Sequence, residues 1–117
     1  MGKLTTHVLD LTSGRPAVGL ALELFSVQDG AQRSLRRATT DADGRCGGPL
    51  LEGAAFQRGT YVLRFDVAEY FRAQGHSLPE PPFLDRVDLA FGIADAGGNY
   101  HVPLLVTPWS YSTYRGS

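Results

Sequence analysis

Apolar residues recur through much of this chain at every second position, in short runs separated by clusters of Gly, Pro and Asp. Such a pattern leaves little choice but short strands with one face buried. Lys3 to Asp10 sets Leu4, Thr6 and Val8 against Thr5, His7 and Leu9, and Gly19 to Val27 sets Leu20, Leu22 and Leu24 against Ala21, Glu23 and Phe25. The turn signals Ser13-Gly14-Arg15-Pro16, Asp29-Gly30 and Asp41-Ala42-Asp43-Gly44 cut these runs apart. Further strands are predicted over Ser34 to Thr40, Leu50-Leu51, Thr60 to Phe65, Leu84 to Ala94, Tyr100 to Val106 and Ser110 to Tyr114. Pro103 must then lie at a bulge or where the ladder needs no donor. One segment changes period. Between Asp66 and Gln74, Val67, Tyr70, Phe71 and Gln74 fall at helical spacing, Asp66 can cap, Glu69 completes a capping-box-like pair, and Gly75 stops the helix. His76 to Pro82 holds three prolines and reads as a loop. Eight short strands and one short helix, without an internal repeat, predict an all-β fold: an antiparallel two-sheet β-sandwich.

With 117 residues, 43% of them hydrophobic, the chain suffices for a single domain, 1–117, that buries roughly two-thirds of its unfolded surface. A formal net charge of -1 with scattered arginines gives no electrostatic footprint for nucleic acid or anionic membrane. No run approaches the roughly 20 apolar residues of a membrane span. The one cysteine, Cys46, excludes an intrachain disulfide and suits a reducing compartment, so the expected location is cytoplasmic.

The chemistry gathers toward the closing stretch from Asn99 to Ser117, where aromatic and hydroxyl side chains alternate before Arg115, Gly116 and Ser117. Such an ending reads as docked rather than frayed. His7 and His101 each lie on the less uniformly apolar face of their strands, and both can face outward. Arg45 follows the Asp43-Gly44 turn directly. Cys46 has no neighbour that marks it as a nucleophile and reads as an inert small residue. The Asp41-Ala42-Asp43-Gly44 turn lacks the spacing and distal carboxylate of a calcium loop. His7, His76 and His101 lack the short-range spacing of zinc ligands, and no phosphate or dinucleotide motif is present. Neither a metal nor a cofactor is expected.

Taken together, Leu4-Thr5-Thr6-His7-Val8-Leu9-Asp10, Gly14-Arg15-Pro16-Ala17, Thr40-Asp41-Ala42-Asp43-Gly44-Arg45, Gly59-Thr60-Tyr61, Tyr100-His101-Val102-Pro103-Leu104-Leu105 and Tyr111-Ser112-Thr113-Tyr114-Arg115-Gly116-Ser117 resemble the 5-hydroxyisourate hydrolases. These are the enzymic members of the transthyretin-like family. The resemblance spans nearly the whole chain. Its specific part is the terminal Tyr-Arg-Gly-Ser, because hormone-carrying transthyretins share the sandwich but neither that ending nor the two histidines. Pro81-Pro82-Phe83-Leu84-Asp85 follows the family's aromatic-proline-acid pattern only loosely.

The resemblance implies a transthyretin (prealbumin)-like sandwich and hydrolysis of 5-hydroxyisourate to 2-oxo-4-hydroxy-4-carboxy-5-ureidoimidazoline in urate degradation. It also implies a homotetramer, a dimer of dimers, with sites at the subunit interface. Opening a cyclic amide needs a base for water, stabilisation of an oxyanion and a donor for the leaving nitrogen. His7 and His101 suit the acid and base roles, and His7 also lies where it would touch substrate. Arg45 offers a planar fork to carbonyl oxygens. Tyr114 and Ser117 would bind substrate or orient a histidine or water, and Arg115 either joins them or anchors the tail. The competing readings are a small-ligand carrier or interaction module using the same outer face and, behind it, a zinc hydrolase.

Overall fold

The computed structural model of the chain describes residues 2–116. Its strands are β1 (Lys3–Asp10), β2 (Arg15–Pro16), β3 (Ala21–Gln28), β4 (Ala31–Thr39), β5 (Leu51–Glu52), β6 (Gly59–Phe65), β7 (Val87–Ile93), β8 (Asn99–Val106) and β9 (Tyr111–Ser112), with helix α1 (Val67–Ala73) between β6 and β7. Two sheets result, as expected. One has the order β2-β1-β8-β9, with β5 also on β1, and the other the order β4-β3-β6-β7. Between them lies a cluster of buried side chains that includes Leu4, Val8, Leu24, Leu63, Phe65, Phe71 and Leu104. The strict in-out alternation of β1, with Leu4, Thr6, Val8 and Asp10 buried, is what turns Thr5 and His7 outward.

The pairing departs from the expected antiparallel pattern at one place. β1 and β8 run parallel, with Thr5 opposite His101 and His7 opposite Pro103, whereas the other described pairs are antiparallel. This central pair brings both imidazoles to one face.

Several element boundaries also differ from the sequence reading. Asp29 (φ 52) and Gly30 (φ 79) make a two-residue turn with both φ positive, a geometry that matches the twist of the flanking strands. β4 therefore starts at Ala31, opposite Gln28, rather than at Ser34. Arg15-Pro16 is not only turn, since it pairs with Leu9 and Asp10. β7 begins at Val87 rather than Leu84, and β9 is shorter than Ser110 to Tyr114. Helix α1 forms where expected and buries Val67, Ala68, Tyr70 and Phe71, but the Asp66 side chain makes no cap hydrogen bond. The carbonyl of Asp85 serves in its place, accepting the Ala68 amide at 2.9 Å, and Glu69 reaches Arg72 instead. Gly75, at φ +92, ends the helix as predicted.

The helix is tied to the far end of β1 by a buried pair. Tyr70 Oη donates to Asp10 Oδ2 at 2.8 Å, and Asp10 Oδ1 accepts the amides of Thr12 and Ser13. Burial pushes the Asp10 carboxyl up, but the donors from Tyr70, Ser13 and Thr12 outweigh it and hold the group below its ordinary value.

Candidate active site

The turn at residues 41–45 is built by its own carboxylate. Asp41 Oδ1 accepts the amides of Asp43 and Arg45 at 2.9 and 3.1 Å, a local bonding pattern that aspartate favours in turns. The turn then presses on β1, where the Val8 amide donates to the Gly44 carbonyl at 2.8 Å. Gly44 has φ +75, and a Cβ there would stand 2.4 Å from the Val8 carbonyl oxygen. Only glycine permits this approach. As a result Arg45, exposed, is delivered to the edge of the outer face that carries His7.

His7 Nε2 lies 2.8 Å from the Asp43 carbonyl oxygen. A carbonyl only accepts, so His7 carries a proton on Nε2 and donates it there. His101 Nδ1 is 2.8 Å from Thr5 Oγ1 across the β1–β8 pair. The two ring centroids are 6.5 Å apart, with their planes tilted by 36°. Both histidines are half-buried. Burial, followed by the nearby charges of Arg45 and His7, lowers the pKa of His101 from its ordinary value.

The closing segment docks, as its composition suggested. His101 and Gly116 exchange both backbone hydrogen bonds, at 2.7 and 3.4 Å, and Thr113 Oγ1 donates to the Pro103 carbonyl at 2.7 Å. Pro103 has no amide to offer on this side, in line with the amide of His101, and the ladder is interrupted there between Ser112 and Gly116. Gly116 lies flat against the imidazole of His101, since a Cβ would fall 2.9 Å from Cδ2. Arg115 anchors the tail by donating to the Asn99 carbonyl at 3.1 Å and stacking 4.1 Å above the Tyr100 ring.

His7, Arg45 and His101 are thus brought together by the fold, and Tyr114 is not. It is exposed and lines a cavity of about 430 Å³ between the tail and β7, with Phe91, Tyr111 and Arg115. Ser117 lies outside the described residues. Cys46 packs part-buried against the core, where burial pushes its thiol up, as suits an inert residue. His76 sits elsewhere, edge-on to Phe71. Among the described residues no three His, Cys, Asp or Glu side chains gather as a metal site would need, and no helix is long and apolar enough to cross a membrane. Thr5 and Gly116 escaped the sequence reading: alternation put Thr5 beside His7, but only the parallel register puts it beside His101.

A two-sheet β-sandwich with two imidazoles on the outer face of one sheet, and Arg45 near them, defines a transthyretin-like protein with its titratable side chains on a strand pair. The chain belongs to the HIUase/Transthyretin family, whose model matches residues 4–116. It is 58% identical over 117 residues to the 5-hydroxyisourate hydrolase of Ralstonia nicotianae, covering all of both chains. Among solved structures it resembles (S)-allantoin synthase, with a TM-score of 0.94 and 44% identity over 99% of this chain but only 44% of that longer one. It also resembles sea bream transthyretin in complex with thyroxine, with a TM-score of 0.87 and 28% identity over 97% of this chain and 94% of the other.

Proposed function

We propose that the chain is a 5-hydroxyisourate hydrolase, and that His7, His101 and Arg45 carry the reaction. The observation behind this reading is the 6.5 Å pairing of two half-buried imidazoles with an arginine delivered beside them, in a chain 58% identical to a protein of that name. Water adds to a ring carbonyl of the cyclic substrate as an imidazole takes its proton. The oxyanion so formed is met by the guanidinium of Arg45, and the proton passes to the ring nitrogen as the carbon–nitrogen bond breaks. Arg suits this because its planar fork can hold two oxygens of a flat, amide-rich ring at once. His101, held toward the neutral form by its surroundings, is available as a base near neutral pH.

In this reading the site is completed by other copies of the chain. The histidines stand on an open sheet face, and Tyr114 points to the edge cavity of its own subunit, so a homotetramer arranged as a dimer of dimers would bring Tyr114 and Ser117 toward substrate at an interface. The exposed stack of Phe83 on Trp109, with centroids 6.0 Å apart, is surface that such an assembly would cover. The part-buried thiol of Cys46 is compatible with a reducing cytoplasmic setting.

The deciding measurement is turnover of freshly generated 5-hydroxyisourate, which a carrier of the same fold would bind without consuming. His7→Asn and His101→Asn should each lower the catalysed rate by about a hundredfold, the scale of a general acid–base group, with the melting temperature retained. A wild-type protein that leaves spontaneous decay of the substrate unchanged would refute the assignment.

A further inference from the structure

We infer that Thr5 is a positioning residue: its hydroxyl holds His101 by Nδ1 and so leaves Nε2 as the nitrogen that exchanges protons with water and substrate. The role presupposes the hydrolysis proposed above. Three observations carry it. Thr5 stands directly opposite His101 in the one parallel pair, with Oγ1 2.8 Å from Nδ1. No other side chain or carbonyl among the described residues hydrogen-bonds the ring. The opposite edge is blocked by Gly116, whose missing Cβ would touch Cδ2 and Cγ. The ring is thereby held between a hydroxyl on β1 and a glycine of the tail, and among the described residues no hydrogen bond engages Nε2.

A hydroxyl is the partner this task needs. It both donates and accepts, so it can follow the ring through its protonation cycle. When Nε2 takes the proton of the attacking water, the imidazolium carries hydrogen on both nitrogens, and Nδ1–H donates to Oγ1. As the carbon–nitrogen bond breaks, the Nε2 proton passes to the leaving nitrogen and the ring returns to neutral, with the Nδ1 bond kept throughout. The contrast with His7 is informative. Its Nε2 is committed to a carbonyl that only accepts, which fixes one tautomer, whereas Thr5 imposes none. Arg45 from the turn is the cationic group near His101, and His7 on β1 is the other titratable one. Arg115 of the tail is turned to Asn99 and Tyr100. Among the described residues no carboxylate hydrogen-bonds the ring, and a bond from the imidazolium to Thr5 is charge-assisted.

Thr5→Val keeps the β-branched shape and removes the hydroxyl, and Thr5→Ser keeps the hydroxyl. In Thr5→Val, kcat should fall about tenfold with KM within twofold and an unchanged melting temperature. Its acid limb should move down by about half a unit, because the charged ring loses more than the neutral one. Thr5→Ser should restore most of kcat and the limb. Nitrogen-15 NMR of the His101 ring provides a readout independent of turnover: the ring nitrogen shifts should change in Thr5→Val and return in Thr5→Ser. Wild-type kcat, pH profile and ring shifts in Thr5→Val would overturn the role. If the wild-type protein proved inactive on 5-hydroxyisourate, the ring shifts would still show whether Thr5 governs His101, so the two failures are separable.

Discussion

His101 occupies a position where protonation is opposed from several directions. Burial first, and then the proximity of Arg45 and His7, depress its pKa, and that direction has a definite sign for pH dependence. A histidine with a folded pKa below the unfolded value of about 6.5 is less readily protonated in the native state. Its contribution to stability is complete above about pH 6.5 and declines as pH falls toward the folded value. NMR titration of the His101 ring should therefore give a midpoint below 6.5, and Arg45→Gln, which removes one repelling charge, should raise it. A midpoint at or above 6.5 in the wild-type protein would contradict the charge arrangement. At this scale the sequence was partly legible. The outward direction of His7 and His101 follows from alternation alone, because Val8 and Leu104 had to be buried. The partners of each ring do not follow, since Thr5 and the Asp43 carbonyl are reached across strand register and turn docking, neither of which leaves a local signature. Asp10 and Tyr70 illustrate the same limit. Each reads as an ordinary strand-end or helix residue, and only the fold reveals them as a buried pair.

The elements around the site have different tolerances. The turn at 41–45 depends on Gly44 for its approach to β1, and the tail depends on Gly116 for its approach to His101. In Gly116→Ala, the new methyl would fall 2.9 Å from the imidazole, so either the ring or the tail must move by a few tenths of an ångström. Neither movement touches the core. We expect kcat to drop by roughly tenfold or more, in keeping with the sensitivity of catalysis to small misplacements, while the melting temperature stays within a few degrees. Steady-state kinetics beside thermal melting would test this, and full activity in the alanine variant would show that tail contact with His101 is dispensable. The strands themselves were legible where alternation was strong, as in β1, β3, β6 and β8. Boundaries failed where side chains carried no pattern. The first residues of β4, Ala31-Gln32-Arg33, are all exposed and are strand because the hairpin turn makes them so. Asp66 has the sequence features of a cap, and nothing in the sequence shows Asp85 arriving to do that work.

For the molecule as a whole, the proposed assembly is the first quantity to measure. A sheet face that carries two half-buried imidazoles, and large exposed side chains such as Phe83 and Trp109, 68% and 58% accessible, call for a partner surface. Light scattering at micromolar concentration should give four times the chain's 12.7 kDa. A fully active monomer would sink the shared-site arrangement. Parallel pairing of β1 with β8 has a further consequence in time. The Thr5–His101 contact spans 96 positions of sequence, and at about 5 to 20 residues per second of synthesis the first strand waits roughly 5 to 20 s for its central neighbour. During that interval β2 and β5 can cover only one edge of β1, and the other remains an open template for foreign strands. The nascent chain is therefore open to misassociation along the edge of β1 that β8 later covers.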